Sequence, residues 1–238
     1  MTILRYFIGV ISLLPVLAST ASGQNSADPE RFFSDGKVIL FVKALSVHEF
    51  VKADQIVESG VKIDAFGKGG VTPLWWAVNT NDFQSFEFLL KKGANPLAQV
   101  SDGFDIMELC AGNENRNFLI EALKHGGRAN IISQYYRRTP IFAAATANQI
   151  ENVDLLLKTG AYINISDPYG MTPVMAAACV NSYEAVVLLL EKDANCEWKD
   201  RNGQSLIDIV KSSQIREDSE RYKAYLATVE LLKKKGLM

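Results

Sequence analysis

"RRTPIFAAATANQIENVDLLLKTGA" fills residues 137–161, and "GMTPVMAAACVNSYEAVVLLLEKDA" fills residues 170–194. The two stretches align without a gap at an offset of 33 residues. Each begins with a Thr-Pro pair, continues through a short alanine-rich run, breaks at polar residues, and ends in a leucine-rich run with a Gly or Asp stop. Self-similarity at such a period is the mark of a repeat architecture, in which one unit cannot bury its apolar face alone.

Working outward, the same phase appears five times. One position reads Thr72, Asp105, Thr139, Thr172 and Ser205, at spacings of 33, 34, 33 and 33. All five side chains carry an oxygen that can accept from a free N–H in a helix's first turn. Proline follows at 73, 140 and 173, where the first helical residue has no N–H partner to lose. The second run of the third unit places Ile150, Val153, Leu156 and Leu157 at helical spacing. Gly93, Gly126, Gly160 and Asp193 then mark helix ends, since glycine accepts the left-handed conformation that stops a helix.

Helix, turn, helix and hairpin at this period resemble the ankyrin repeat. "TPLWWA", "TPIFAA" and "TPVMAA" match that family's Thr-Pro-Leu-His-x-Ala core, and "LLKKGAN", "LLKTGAY" and "LLEKDAN" match its second signature. The resemblance covers about residues 37–238. It implies an all-α solenoid with short β-hairpin connections: a capping helix pair at 37–63 and about five repeats starting near 67, 100, 134, 167 and 200. The family's His is replaced by Trp75, Glu108, Phe142, Met175 and Asp208, so its hydrogen bond to the capping Thr is expected to be missing. Of the Trp75-Trp76 pair, one ring is expected in the core and the other on the inner rim.

Residues 1–23 read as a secretory signal peptide. Arg5 precedes the apolar run "FIGVISLLPVLA", and Ala21 and Gly23 prepare a cut before Gln24. Twelve apolar residues are too few to span a bilayer, which needs about 20. Residues 24–36 read as a linker. Export implies the periplasm, an oxidising compartment. Yet Cys110, Cys179 and Cys196 are an odd set, unsuited to a disulfide framework.

Little chemistry is legible. His48 and His125 lie in different units, the cysteines lack zinc-ligand spacing, and "GKGG" at 67–70 lacks the rest of a phosphate loop. The net charge of −2 and the absence of a basic domain speak against nucleic acid. The chain is therefore expected to be no enzyme, with no catalytic residue, metal or cofactor.

The family resemblance implies a binding module whose concave face and hairpin tips contact another protein. By phase, the contact positions are Trp75, Phe104, Tyr135, Tyr136, Arg138, Phe142, Tyr169, Met171 and Arg201. Tyr and Arg are enriched at interface hot spots. The resemblance extends to exported bacterial ankyrin proteins. Some of these are immunity partners of antibacterial phospholipase effectors delivered by type VI secretion. A periplasmic immunity protein, monomeric when free and bound to a toxic effector, is the first expectation. A periplasmic oxidative-stress or scaffold protein is the second, and a secreted effector aimed at host proteins the third.

Overall fold

In the computed structural model, which describes residues 28–101 and 103–238, the repeat phase becomes six pairs of antiparallel helices. Residues 1–23, read above as a signal peptide, lie outside the described residues. The inner helices are α1 (Gly36–Ser46), α3 (Pro73–Asn79), α5 (Ile106–Gly112), α7 (Pro140–Thr146), α9 (Pro173–Cys179) and α11 (Leu206–Ser212). Each is followed by an outer helix: α2 (Phe50–Glu58), α4 (Phe83–Lys91), α6 (Asn117–Lys124), α8 (Ile150–Lys158), α10 (Tyr183–Glu191) and α12 (Arg221–Lys234). The all-helical solenoid read from the sequence is the fold observed.

The inner helices stack closely because their facing residues are small. Ala77, Ala111, Ala143 to Ala145 and Ala176 to Ala178 are all buried. Around them the larger residues Leu74, Trp76, Ile106, Met107, Ile141 and Val174 interlock into a core that runs unbroken from Phe33 to Leu232. The chain is already packed from Pro29 on: Phe33 is buried, and the Phe32 carbonyl accepts from the Lys68 N–H at 2.8 Å.

Helix ends are satisfied by repeat-wise devices. Asn81, Asn148 and Asn181 turn the chain between inner and outer helices with φ of 58°, 57° and 61°, a region Asn tolerates better than most residues. The last carbonyls of an inner helix have no partner within it. Ser85 Oγ donates to the Leu45 carbonyl at 3.0 Å, and Asn152 Nδ2 donates to those of Ala111 and Asn113 at 2.9 and 3.0 Å. Outer helices stop at Gly93, Gly126 and Gly160, with φ near 90° at each.

The expected β-hairpins do not form as strands. Among the described residues there is one isolated bridge, Lys199 with Ser205, and no strand. Four of the five connections close with one long-reach backbone bond, such as Asp167 N–H to the Met171 carbonyl (2.9 Å) and Asp200 N–H to that of Gln204 (2.9 Å). One bond per turn is too little for a ladder. The tips join across units instead: Ser101 N–H donates to the Gly69 carbonyl at 2.8 Å, and Arg201 N–H to that of Tyr169 at 3.0 Å.

The missing His leaves its trace at the caps. Thr72 Oγ1 accepts from the Trp75 N–H at 3.2 Å. The Thr139 and Thr172 hydroxyls are buried without a hydrogen-bond partner. Phe142 and Met175, apolar where the family has His, offer them nothing. The last unit ends in α12, whose buried face is narrow, with Thr228 and Leu232 inside. Tyr225 packs edge-on against Tyr183 of α10 at 5.2 Å.

Candidate functional site: the row of turn tips

The third, fourth and fifth tips are each built on a buried polar residue at the base. Asp167 Oδ1 accepts from the N–H groups of Tyr169 (2.9 Å) and Met171 (3.0 Å), which fixes the turn between them. Asp200 does the same for Asn202 (2.8 Å) and Gln204 (2.9 Å). In the third unit the equivalent residue is Ser133, whose Oγ accepts from the Arg138 N–H at 3.2 Å. In the second it is Val100, which has no such group. Asp105 substitutes from the helix cap: Oδ1 takes the Val100 N–H (2.7 Å) and Oδ2 reaches the next unit's Gln134 N–H (3.2 Å).

Arg138 joins this frame. Its Nε and Nη2 both donate to Asp167 Oδ2, at 3.0 and 2.7 Å, and its guanidinium lies 5.4 Å from the Phe142 ring centre. The Asp167 carboxylate is fully buried and the Arg138 side chain nearly so. Below them sits Glu108, 2% exposed, with Oε2 accepting from the Asp105 N–H at 3.1 Å. Burial pushes the Glu108 carboxyl up to about 8, against hydrogen bonds from Asp105 and Ser133 and the charge of Arg138. Burial raises Asp105 as well.

The sequence-predicted residues divide into two layers. Phe142 is 2% exposed and Met171 5%, so both lie beneath the tip surface. Arg138 is tied to Asp167 in the same layer. Trp75 is half-buried: its ring packs 5.7 Å from Phe32 and its Nε1–H donates to the Phe104 carbonyl at 2.8 Å, bracing two units. Trp76 fills the core as expected. The outer layer holds Tyr135 and Tyr169, 54% and 55% exposed, together with Arg201. Phe104, Tyr136 and Tyr135 form one aromatic cluster, with ring centres 4.7 and 4.8 Å apart in succession. Ile132 and Trp198, both exposed, extend the apolar surface at the tips and were not singled out by phase.

The cysteines are not prepared as nucleophiles. The three cysteines are unbridged, and burial raises all three thiols, Cys179 to about 11. Among the described residues no group of three His, Cys, Asp or Glu side chains could hold a metal ion. No helix there is long and apolar enough to cross a membrane.

The family model for ankyrin repeats in three copies matches residues 106–200, and the single ankyrin repeat model matches residues 69–100. An ankyrin repeat domain from Acinetobacter baumannii AYE superposes with a TM-score of 0.69 at 21% identity, covering 82% of this chain and 97% of that one. The ankyrin repeat protein EF0377 gives 0.68 at 23% identity, covering 83% and 98%. No curated protein matches the chain. The two family models together take in more than half of the sequence, over the units whose caps, stops and tips are described above, and the chain belongs to the ankyrin repeat family.

Proposed function

We propose that this chain is an exported binding protein, held in the periplasm, that neutralises a secreted antibacterial effector of phospholipase type by covering its active-site entrance. Ankyrin repeats are protein–protein interaction modules, and the observation that carries the reading is the tip surface of the third and fourth units. Tyr135 and Tyr169 stand in solvent on turns whose backbones are pinned by the buried Ser133 and Asp167, with Arg138 tied to Asp167. Such a surface loses little conformational entropy on docking, which is what a tight inhibitor needs. Inhibition by steric cover requires no catalytic group. The n/h/c pattern of residues 1–23 supports export.

The test begins with capture of the partner from the exported fraction of the native host, using the chain without residues 1–23. Co-production with the captured protein should relieve its toxicity. Tyr135→Ala and Tyr169→Ala should each weaken binding by about 2 kcal/mol, roughly thirtyfold, in calorimetry, with melting temperatures unchanged. Normal affinity in both variants would remove the tips as the interface, and a harmless partner would remove the immunity role.

A further inference from the structure

The third tip differs from its neighbours in length and in one backbone position. The residue closing each turn is Gly70, Gly103, Arg137, Gly170 and Gly203, all at positive φ. Four are glycine, and the third is arginine at φ 56°. In the first, fourth and fifth units this residue's N–H donates to the carbonyl three back, as Gly170 to Asp167 at 2.9 Å. Arg137 donates four back, to Ser133 at 3.1 Å, because this turn holds one extra residue. The single spacing of 34 in an otherwise 33-residue repeat originates here.

A residue with a Cβ is disfavoured in this left-handed region, and glycine is not. Space alone does not select glycine throughout, since a Cβ at Gly103 or Gly203 would meet nothing within 4 Å. The fold therefore accepts strain to place an arginine at this apex. Inside the molecule the side chain gains nothing: Arg137 is exposed and makes no ion pair among the described residues. Lys68 and Arg201, at the first and fifth tips, are likewise exposed and make no ion pair among the described residues. On the outer helices, in contrast, Lys91, Lys92, Lys124 and Lys158 all pair with carboxylates. Among the described residues the acids at the bases of the tips, Asp105, Asp167 and Asp200, are buried and spent on backbone N–H groups and Arg138. Among the described residues the tip row thus shows solvent cations and aromatic rings, while these three carboxylates point inward. Strain held where it serves no internal contact points to function, and the fork of an arginine matches a carboxylate in bidentate fashion.

We propose that the lengthened third tip is the anchor of the interface, with Arg137 gripping a surface carboxylate of an acidic protein partner between Tyr135 and Tyr169. This rests on the tip surface being the interface.

Two measurements test it. In thermal melts Arg137→Gly should raise the melting temperature by about 3 °C, the scale expected for a chain this long, and Arg137→Ala should not. In amide-resolved NMR titrations, an octaglutamate peptide at low salt should shift the tips around Lys68, Arg137 and Arg201, and an octalysine peptide should not. Both Arg137 variants should weaken octaglutamate binding about tenfold, and Arg137→Lys less. An unchanged or lowered melting temperature for Arg137→Gly, an equal rise for Arg137→Ala, or octaglutamate binding indifferent to all three variants each overturns the inference. If Tyr135→Ala and Tyr169→Ala weaken the captured partner while Arg137→Gly does not, the interface stands and this anchor falls. If only the Arg137 variants act on it, the anchor stands without the aromatic contacts.

Discussion

Glu108→Gln should abolish a pH dependence of stability that runs opposite to ordinary acid denaturation. The Glu108 carboxyl is held by burial at about 8, whereas in the unfolded chain it returns to its ordinary value of 4.5. The folded form therefore binds this proton more tightly than the unfolded form. Stability is full below the unfolded value, falls as pH rises from about 4.5 to about 8, and falls no further beyond. At about 1.4 kcal/mol per tenfold, the gap corresponds to roughly 4–5 kcal/mol, an upper bound because water and Arg138 can relax toward the anion. Asp105, also raised by burial, acts in the same direction. Asp154, Asp208 and Glu230 are lowered by hydrogen bonds from Lys158, Ser205 and Lys234. Their contribution is lost only as pH drops below the ordinary carboxylate range, so the two effects occupy separate windows. Glutamine is isosteric, accepts from the Asp105 N–H as the acid does, and cannot ionise. Urea unfolding at pH 5, 6, 7 and 8 should show the wild-type midpoint falling steadily and the Glu108→Gln midpoint nearly flat. The variant should be the more stable protein at pH 8. A wild-type midpoint constant from pH 5 to 8, or a variant that keeps the slope, would refute the reasoning.

The caps offer a paired test: Thr72→Val should cost about 1 kcal/mol because Thr72 Oγ1 accepts from Trp75 N–H, whereas Thr172→Val should be neutral or stabilising because its buried hydroxyl has no partner. Denaturant midpoints of the two variants check the difference. Arg138→Ala should cost about 3 kcal/mol by leaving the buried Asp167 carboxylate without its cation, a loss that Asp167→Asn in the same chain should partly restore in thermal melts. Asp193 ends α10 at φ 61° where the five other outer helices use glycine, at 60, 93, 126, 160 and 236, so Asp193→Gly should raise stability by about 1 kcal/mol in urea unfolding.

What the sequence disclosed, and what it withheld, follows from the range over which each signal acts. Caps, stops and apolar spacing are local consequences of backbone geometry, so the Thr-Pro starts and the Gly160 and Asp193 stops located the helices of the third and fourth units directly. The loss of the family's His foretold a defect at the caps, and the orphaned Thr139 and Thr172 hydroxyls are that defect. Phase alone could not say which tip residues face solvent. Arg138 and Met171 occupy equivalent positions, but whether such a residue points outward depends on what lies one unit along. Asp167 draws Arg138 inward, and the Asp167–Met171 turn closes over Met171. Arg137 was hidden differently. Its neighbour Arg138 has the same chemistry and sits at the position where the family makes contacts. The distinguishing fact is a backbone angle that no composition reports. Yet the sequence held a trace of it: the one spacing of 34 fell at the one turn where glycine was absent. A repeat protein states its own norm four times over, and the unit that departs from that norm in both length and closing residue is the place to look for a demand other than the fold.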